Sequence, residues 1–259
     1  RKTKYDLVIT LQRFFSSGIL TAFSGAKITA GFDKNPLSCF FTIKCKHQIG
    51  SKGEKYLHEV ERNQSLISSL TDCNASKPRL YPSERDYSKT KAYTTCTYMC
   101  VAPASLWYTK QYPIEKWCDF LSKVPTNINI YLLGGASDKA LCDNIANSLP
   151  NHNTVNFAGQ LSLLESAALM KYATMNYVCD SSPMHLCSSV DAPVTAIFCS
   201  TIPEFGFGPL SGNSAIVQST KELACRPCGI HGHKECPNGS FECANSIDIN
   251  ELIQRCKPM

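Results

Sequence analysis

The residues with most chemistry to offer cluster in one stretch, Tyr177-Val178-Cys179-Asp180-Ser181-Ser182-Pro183-Met184-His185-Leu186. A carboxylate, two hydroxyls and an imidazole follow an apolar run and precede a helix-compatible one. Ser182 reads as a helix N-cap and Pro183 as the first helical residue, where its missing N–H costs nothing. A helix starting at the carboxyl end of a buried strand aims unpaired N–H groups outwards, which is how such turns hold phosphate. His185, one turn in, can set a donor or cation beside the same anion. The plain alternative is a capped helix whose His185 bonds internally. Two further stretches belong with this one. Lys110, with Ser105 and Thr109, falls in a polar and aromatic loop after a strand-like run at 97–102. Gly134-Gly135 lies between the strand-like run 129–133 and a helical pattern beginning at Asp138, where glycines let a ligand approach the backbone. This is a Gly-Gly turn and not a dinucleotide fingerprint.

A different chemistry is spelled out near the end of the chain. Cys225, Cys228, Cys236 and Cys243 follow a C-x2-C-x7-C-x6-C spacing, with His231 and His233 between the halves. Four thiolates can form a tetrahedral set, so a structural zinc is one expectation. The alternative is a group of reduced or disulfide-paired thiols closing a loop.

The elements that must carry these groups follow from periodicity. Residues 5–11 read as a buried strand, 14–24 as a helix, 25–32 as a turn and short strand, and 55–70 as a helix. Residues 71–95 are polar and rich in Pro, Lys and Ser, and read as a linker that could include an edge strand. From residue 96 the pattern alternates: strands at 97–102, 129–133, 153–157, 175–179 and 193–199, with helices at 113–123, 138–149, 162–172 and 184–190. Ser162 with Glu165 forms a capping box. Alternation of this kind implies a parallel sheet covered on both faces. The loops bearing Lys110, Asp138, Asp180, Ser181 and His185 all leave strand ends on one side of that sheet, so these residues can converge on one cleft. The expected division is therefore 1–70, a linker at 71–95, and 96–259.

Composition excludes several alternatives. The 259 residues carry ordinary apolar content and a net charge of +5 without one dominant basic run, which does not amount to a nucleic-acid footprint. No run is long enough to cross a bilayer, and no signal-peptide pattern is present. Fifteen cysteines, several inside apolar runs, suit a reducing cytosolic compartment better than a secreted scaffold. The chain opens at Arg1 on a strand with no element before it, so a preceding segment is expected.

These residues also carry a resemblance. The runs Asn156-Phe157-Ala158-Gly159-Gln160-Leu161-Ser162-Leu163-Leu164-Glu165, Asp180-Ser181-Ser182-Pro183-Met184-His185-Leu186 and Ala192-Pro193-Val194-Thr195-Ala196-Ile197-Phe198 resemble glycosyltransferase family 9, the heptosyltransferases. Ala102-Pro103-Ala104-Ser105-Leu106-Trp107-Tyr108-Thr109-Lys110-Gln111-Tyr112-Pro113 is similar to that family's Pro-Gly-x-x-Trp-x-Thr-Lys-x-Trp-Pro stretch. His58-Glu59-Val60-Glu61-Arg62-Asn63, Ser24-Gly25-Ala26-Lys27 and Gly31-Phe32-Asp33 match the end of its N-terminal domain, and the Cys-rich segment has counterparts too.

The resemblance implies an α/β fold of GT-B type: two Rossmann-like domains with parallel sheets, the N-terminal one incomplete here. It implies transfer of heptose from an ADP-sugar donor to a lipopolysaccharide-core acceptor, inverting and without a required metal. The setting it implies is cytoplasmic, peripheral at the inner membrane. By matching position, Thr109 and Lys110 contact the donor diphosphate, and Asp180 holds the donor sugar. Ser181, Ser182 and His185 surround the diphosphate, while Gly134, Gly135, Asp138 and Leu161 complete the donor site. Ala104 and Ser182 stand where the family has glycine. The family's general-base Asp belongs to a Gly-Asp motif upstream of Tyr5, and none of Asp6, Asp33 or Glu61 matches it. Three rivals remain: a non-catalytic nucleotide-sugar-binding protein, a zinc-stabilised interaction module, and a nucleotide-sugar epimerase of related fold.

Overall fold

The computed structural model describes residues 3–256. The chain divides into two compact units: Arg1–Ser76 together with Glu204–Phe207, and Lys77–Pro203 together with Gly208–Met259.

In the first unit, β1 (Leu7–Thr10), β2 (Ile28–Phe32) and β3 (Ile43–Cys45) form a parallel sheet in that order, with α1 (Phe15–Ala22) crossing from β1 to β2. Leu7 pairs with Ile28 and Ala30 with Ile43. The pattern at 55–70 condenses to α2 (Glu59–Ser65), because His58 ends the extended chain in a capping box. Its Nδ1 accepts from Val60 N, and its own N–H donates to Glu61 Oε2 at 2.6 Å. Arg62, buried on α2, holds residues 204–207 in this unit together with Glu59, whose N–H donates to Gly206 O at 2.8 Å. Its guanidinium donates to Leu57 O and Phe205 O, each at 2.8 Å, pairs with Glu59, and lies over the Phe207 ring. Gly206 (φ +93°) takes a conformation that leaves room for that guanidinium; a Cβ there would meet Arg62 Nη1.

The second unit opens with a helix, α3 (Glu84–Thr90), inside the stretch expected as a linker. Polar composition hid it, but Ser83 and Asp86 form a capping box and α3 packs on a later helix, α6. The sheet follows: β4 (Tyr98–Ala102), α4 (Ile114–Ser122), β5 (Asn129–Leu132), α5 (Lys139–Asn147), β6 (Thr154–Asn156), α6 (Leu163–Lys171), β7 (Asn176–Cys179), α7 (Ser182–Ser189), β8 (Val194–Phe198) and β9 (Ser214–Gln218). All six strands are parallel, in the order β6-β5-β4-β7-β8-β9. This is the doubly wound arrangement, in which strand order reverses between β4 and β7.

Continuous apolar strands make sense in it, because both faces are covered. On β4, Met99 and Val101 join Trp117, Phe120 and Ile145 from α4 and α5. Tyr98, Cys100 and Ala102 join Leu169, Met170 and Met184 from α6 and α7 on the other face. The chain ends in α8 (Glu242–Asn245) and α9 (Ile249–Gln254), where Tyr177 Oη donates to Leu252 O at 3.1 Å. Two parallel Rossmann-like sheets, three strands and six, make this an α/β fold of GT-B type. Among the described residues no helix is long and apolar enough to cross a membrane.

Candidate active site

Parallel sheets of this order leave a crevice beyond the carboxyl ends of the two strands where the order reverses. Here those strands are β4 and β7, paired in register with Ala102 opposite Val178 at their ends. The loop after β4 winds through a single 3-10 turn (Tyr108–Lys110) and brings Lys110 over the end of β7. There its Nζ meets Asp180 Oδ2 at 2.8 Å, with the side chains 15% and 7% exposed. A pair this sheltered is screened much less than a surface ion pair. The same Oδ2 accepts from Thr201 Oγ1 at 2.6 Å. Thr201 follows β8, the strand beside β7, and sequence reading missed it. The doubly wound order is the signal that could have found it, since the next strand's exit must lie alongside.

At the start of α7 the structure shifts the expected cap by one residue. Ser181 is the N-cap, Ser182 the first helical residue and Pro183 the second. The Ser181 hydroxyl caps nothing: it donates to Ala104 O at 3.2 Å and Cys179 O at 3.4 Å, tying this turn to the loop after β4. The first turn of α7 thus has no side-chain cap. That leaves the positive end of the helix dipole without a resident partner from its own cap residue.

Beside this turn lies a cavity of about 540 Å³, the size expected of a small-molecule site. Gly134, Gly135 and Asp138 line it from the β5 exit, Leu161 and Ser162 from the turn before α6, and Ser181, Ser182 and Pro183 from α7. The glycine turn is closed by Asp138, whose Oδ2 accepts from Gly135 N at 2.8 Å. A Cβ on Gly134 would come within 2.8 Å of Asp138 Cβ, so the turn needs glycine there.

The remaining expected residues sit differently. Thr109 is fully buried behind Lys110, and its hydroxyl is saturated. It donates to His233 O at 3.3 Å and accepts from His233 N at 2.8 Å and Ser200 Oγ at 3.1 Å. His185 is exposed on α7 and does not line the cavity. The three acids weighed against the general base are engaged elsewhere in the first unit. Asp6 pairs with Lys27, Asp33 Oδ1 accepts from His47 N, and Glu61 caps α2.

Cys225, Cys228, Cys236 and Cys243 line a second, smaller cavity of about 280 Å³, together with Thr109 and His233. Burial pushes the Cys243 thiol up to about 11 and raises Cys228 as well, with the neighbouring cysteines adding to both. Two of the four sulfurs bond to the protein: Cys228 donates to Cys225 O, Cys236 donates to Asn238 Oδ1, and Phe241 N donates to Cys236. Among the described residues, no three His, Cys, Asp or Glu side chains stand in an arrangement that could hold a metal ion.

Comparison with known proteins places this geometry. The model of glycosyltransferase family 9 (heptosyltransferase) matches residues 1–239. Lipopolysaccharide heptosyltransferase 1 of Pseudomonas aeruginosa is 25% identical over 242 residues, covering 88% of this chain and 63% of that relative. The chain therefore spans less than two thirds of that relative's length. The crystal structure of a family 9 glycosyl transferase from Veillonella parvula superposes with a TM-score of 0.77 at 19% identity, covering 98% of this chain and 73% of that one. E. coli heptosyltransferase WaaC with ADP gives a TM-score of 0.63 at 18% identity, covering 99% and 74%. With the family model matching most of the chain, this protein belongs to glycosyltransferase family 9, the heptosyltransferases.

Proposed function

We propose that this chain carries the donor half of a heptosyltransferase. The reaction is transfer of heptose from an ADP-activated donor to a lipopolysaccharide-core acceptor, inverting and without a required metal, on the cytoplasmic side and peripheral to the inner membrane. The observation that carries this reading is the sheltered Lys110–Asp180 pair at the reversal of strand order, beside a 540 Å³ cavity and an uncapped helix start. Two of its relatives, a lipopolysaccharide heptosyltransferase 1 and the heptosyltransferase WaaC with ADP bound, support the choice of donor and acceptor.

The chemistry follows from the groups. Departure of a nucleoside diphosphate builds negative charge, which needs fixed donors and a cation to stabilise it. Lys110 has three N–H donors, one of them directed at Asp180, so it can turn the others to a diphosphate without leaving its partner. The first turn of α7, with Ser181 and Ser182, adds N–H donors and a positive dipole end. Asp180, an acceptor by nature, takes hydroxyls of the donor sugar. Gly134, Gly135 and Leu161 give the nucleotide a close and partly apolar wall. His185 stands at the rim of the same helix.

Calorimetric titration with ADP-heptose, and with GDP- and UDP-sugars as competitors, tests the proposal. Heat with ADP-heptose alone supports it, and silence with every ADP-sugar removes it. A second reading is a donor-binding protein without turnover, because none of Asp6, Asp33 or Glu61 matches the position of the family's general base. Donor binding with no sugar transfer to any acceptor distinguishes it.

For the tail, a tetrathiolate zinc explains why four thiols share one cavity. As placed, the sulfurs do not form a ligand set, so each would have to turn inwards, and no step of the reaction depends on the metal. Purified protein with about one zinc per chain supports that site. Metal-free protein with an intact tail dismisses it.

A further inference from the structure

The tail reaches the residues behind the donor site at three points. Arg226 is 8% exposed, and its guanidinium is spent on main-chain oxygens at the end of β8. Nε donates to Cys199 O at 2.7 Å, and Nη2 to Thr201 O at 2.7 Å and Phe198 O at 3.3 Å, with Gln218 Oε1 as a further acceptor. Cys228 N donates to Ser200 O at 2.9 Å. The main chain of His233 grips Thr109 from both sides. Its N–H donates to the Thr109 hydroxyl, and its carbonyl accepts from Thr109 N at 3.1 Å.

These contacts meet at Asp180. Its Oδ2 has two donors, Lys110 and Thr201. Arg226 holds the main chain of Thr201, and His233 holds the residue next to Lys110. The approach is close enough to demand glycine: Gly232 has φ +76°, and a Cβ there would lie 2.8 Å from Thr109 Oγ1 and 3.1 Å from Lys110 Cγ.

We propose that residues 225–233 are a clamp that positions the donor site, acting through Thr109 and Thr201 on Lys110 and Asp180. Arg226, the His233 main chain, Gly232 and Thr109 are positioning residues. They touch no ligand but fix where the cation and the carboxylate stand. A buried arginine that merely satisfied strand-end carbonyls would stabilise the sheet without affecting ligand affinity, and that difference is measurable. The inference rests on the donor reading above.

The experiment uses the full chain and ADP as the probe. Wild type, Gly232→Ala, Thr109→Val and Thr109→Ser are titrated calorimetrically, with melting temperature and circular dichroism recorded for each. Gly232→Ala and Thr109→Val are expected to stay folded and lose about ten- to a hundredfold in ADP affinity, the scale at which small misplacements of binding groups act. Thr109→Ser, which keeps the hydroxyl, is expected to bind close to wild type. Folded Gly232→Ala with wild-type affinity overturns the clamp. If Gly232→Ala fails to fold, the Thr109 pair decides: equal affinity of the Val and Ser variants overturns it, and loss in Val alone upholds it. Absence of ADP binding by the wild type is a separate result, which removes the donor reading itself.

Discussion

Lys110 and Thr201 converge on one oxygen of Asp180, from loops that follow two different strands, at 2.8 and 2.6 Å. The carboxylate is therefore oriented before any ligand arrives, and the lysine is held over the crevice. Lys110→Ala is expected to cost ADP binding about 1.5–3 kcal/mol, the worth of a hydrogen bond to a charged group. Asp180→Asn keeps an acceptor for Thr201, so ADP binding should fall little, while the advantage of ADP-heptose over ADP should shrink. Calorimetry with both ligands checks the pair. Equal losses for ADP and ADP-heptose in Asp180→Asn would show that Asp180 does not face the sugar.

The two glycines after β5 make contrasting predictions. Gly134→Ala drives a methyl into Asp138 and should destabilise the second unit by about 1–3 kcal/mol, as overpacking does. An alanine Cβ at 135 meets nothing closer than 3.6 Å, so stability should hold to within about 0.5 kcal/mol. ADP binding should nevertheless weaken, because the methyl enters the cavity. Denaturant melts beside titrations separate the two effects. A stable Gly135→Ala that binds normally would mean the nucleotide does not pass over this turn.

In the first unit, His47 is 9% exposed and set edge-on against Phe32. Burial lowers its basicity first, and the charges of Arg13 and Arg62 lower it further. A histidine whose folded pKa lies below its unfolded value of about 6.5 binds its proton more readily after unfolding. Its contribution to stability is fully present above pH 6.5 and is lost as pH falls through the folded value. His47→Gln should flatten that acid limb in denaturant melts taken between pH 5 and 8. Parallel curves for the two proteins would assign the limb to another group.

All fifteen cysteines are free thiols, and their reactivities should separate sharply. Cys39, Cys73, Cys96 and Cys225 are exposed, and iodoacetamide should label them first. Cys100, Cys142, Cys179, Cys187 and Cys199 are buried, and burial raises each thiol, Cys142 and Cys179 to about 12. These should label only on unfolding, which peptide mapping by mass spectrometry can follow. Early labelling of Cys179 would contradict its place beneath the Lys110 loop.

Much of the second unit is legible because its strands are apolar on both faces and several of its helix starts carry a boundary signal. Ser162 with Glu165 and Pro113 before α4 mark boundaries that the structure keeps to within a residue or two. What escaped was held by distant partners. β9 is built from Ser214, Ala215 and neighbours that look unremarkable until β8 pairs with them. Arg226 carries no signal in the sequence, and only the carbonyls at the end of β8 give it a reason to be buried. Thr109 is expected at the donor diphosphate from its match to the family's Thr-Lys pair. Its hydroxyl is instead taken by a loop more than a hundred residues away in sequence.

The four residues Glu204–Phe207 have a consequence for the order in which the molecule can be completed. They belong to the first unit, yet they are translated after β8 of the second. Arg62 lacks Phe205 O and the Phe207 ring until they emerge. Until then Arg62 keeps only Leu57 O and Glu59, so a fragment ending at residue 76 should be less stable than the same unit in the whole chain.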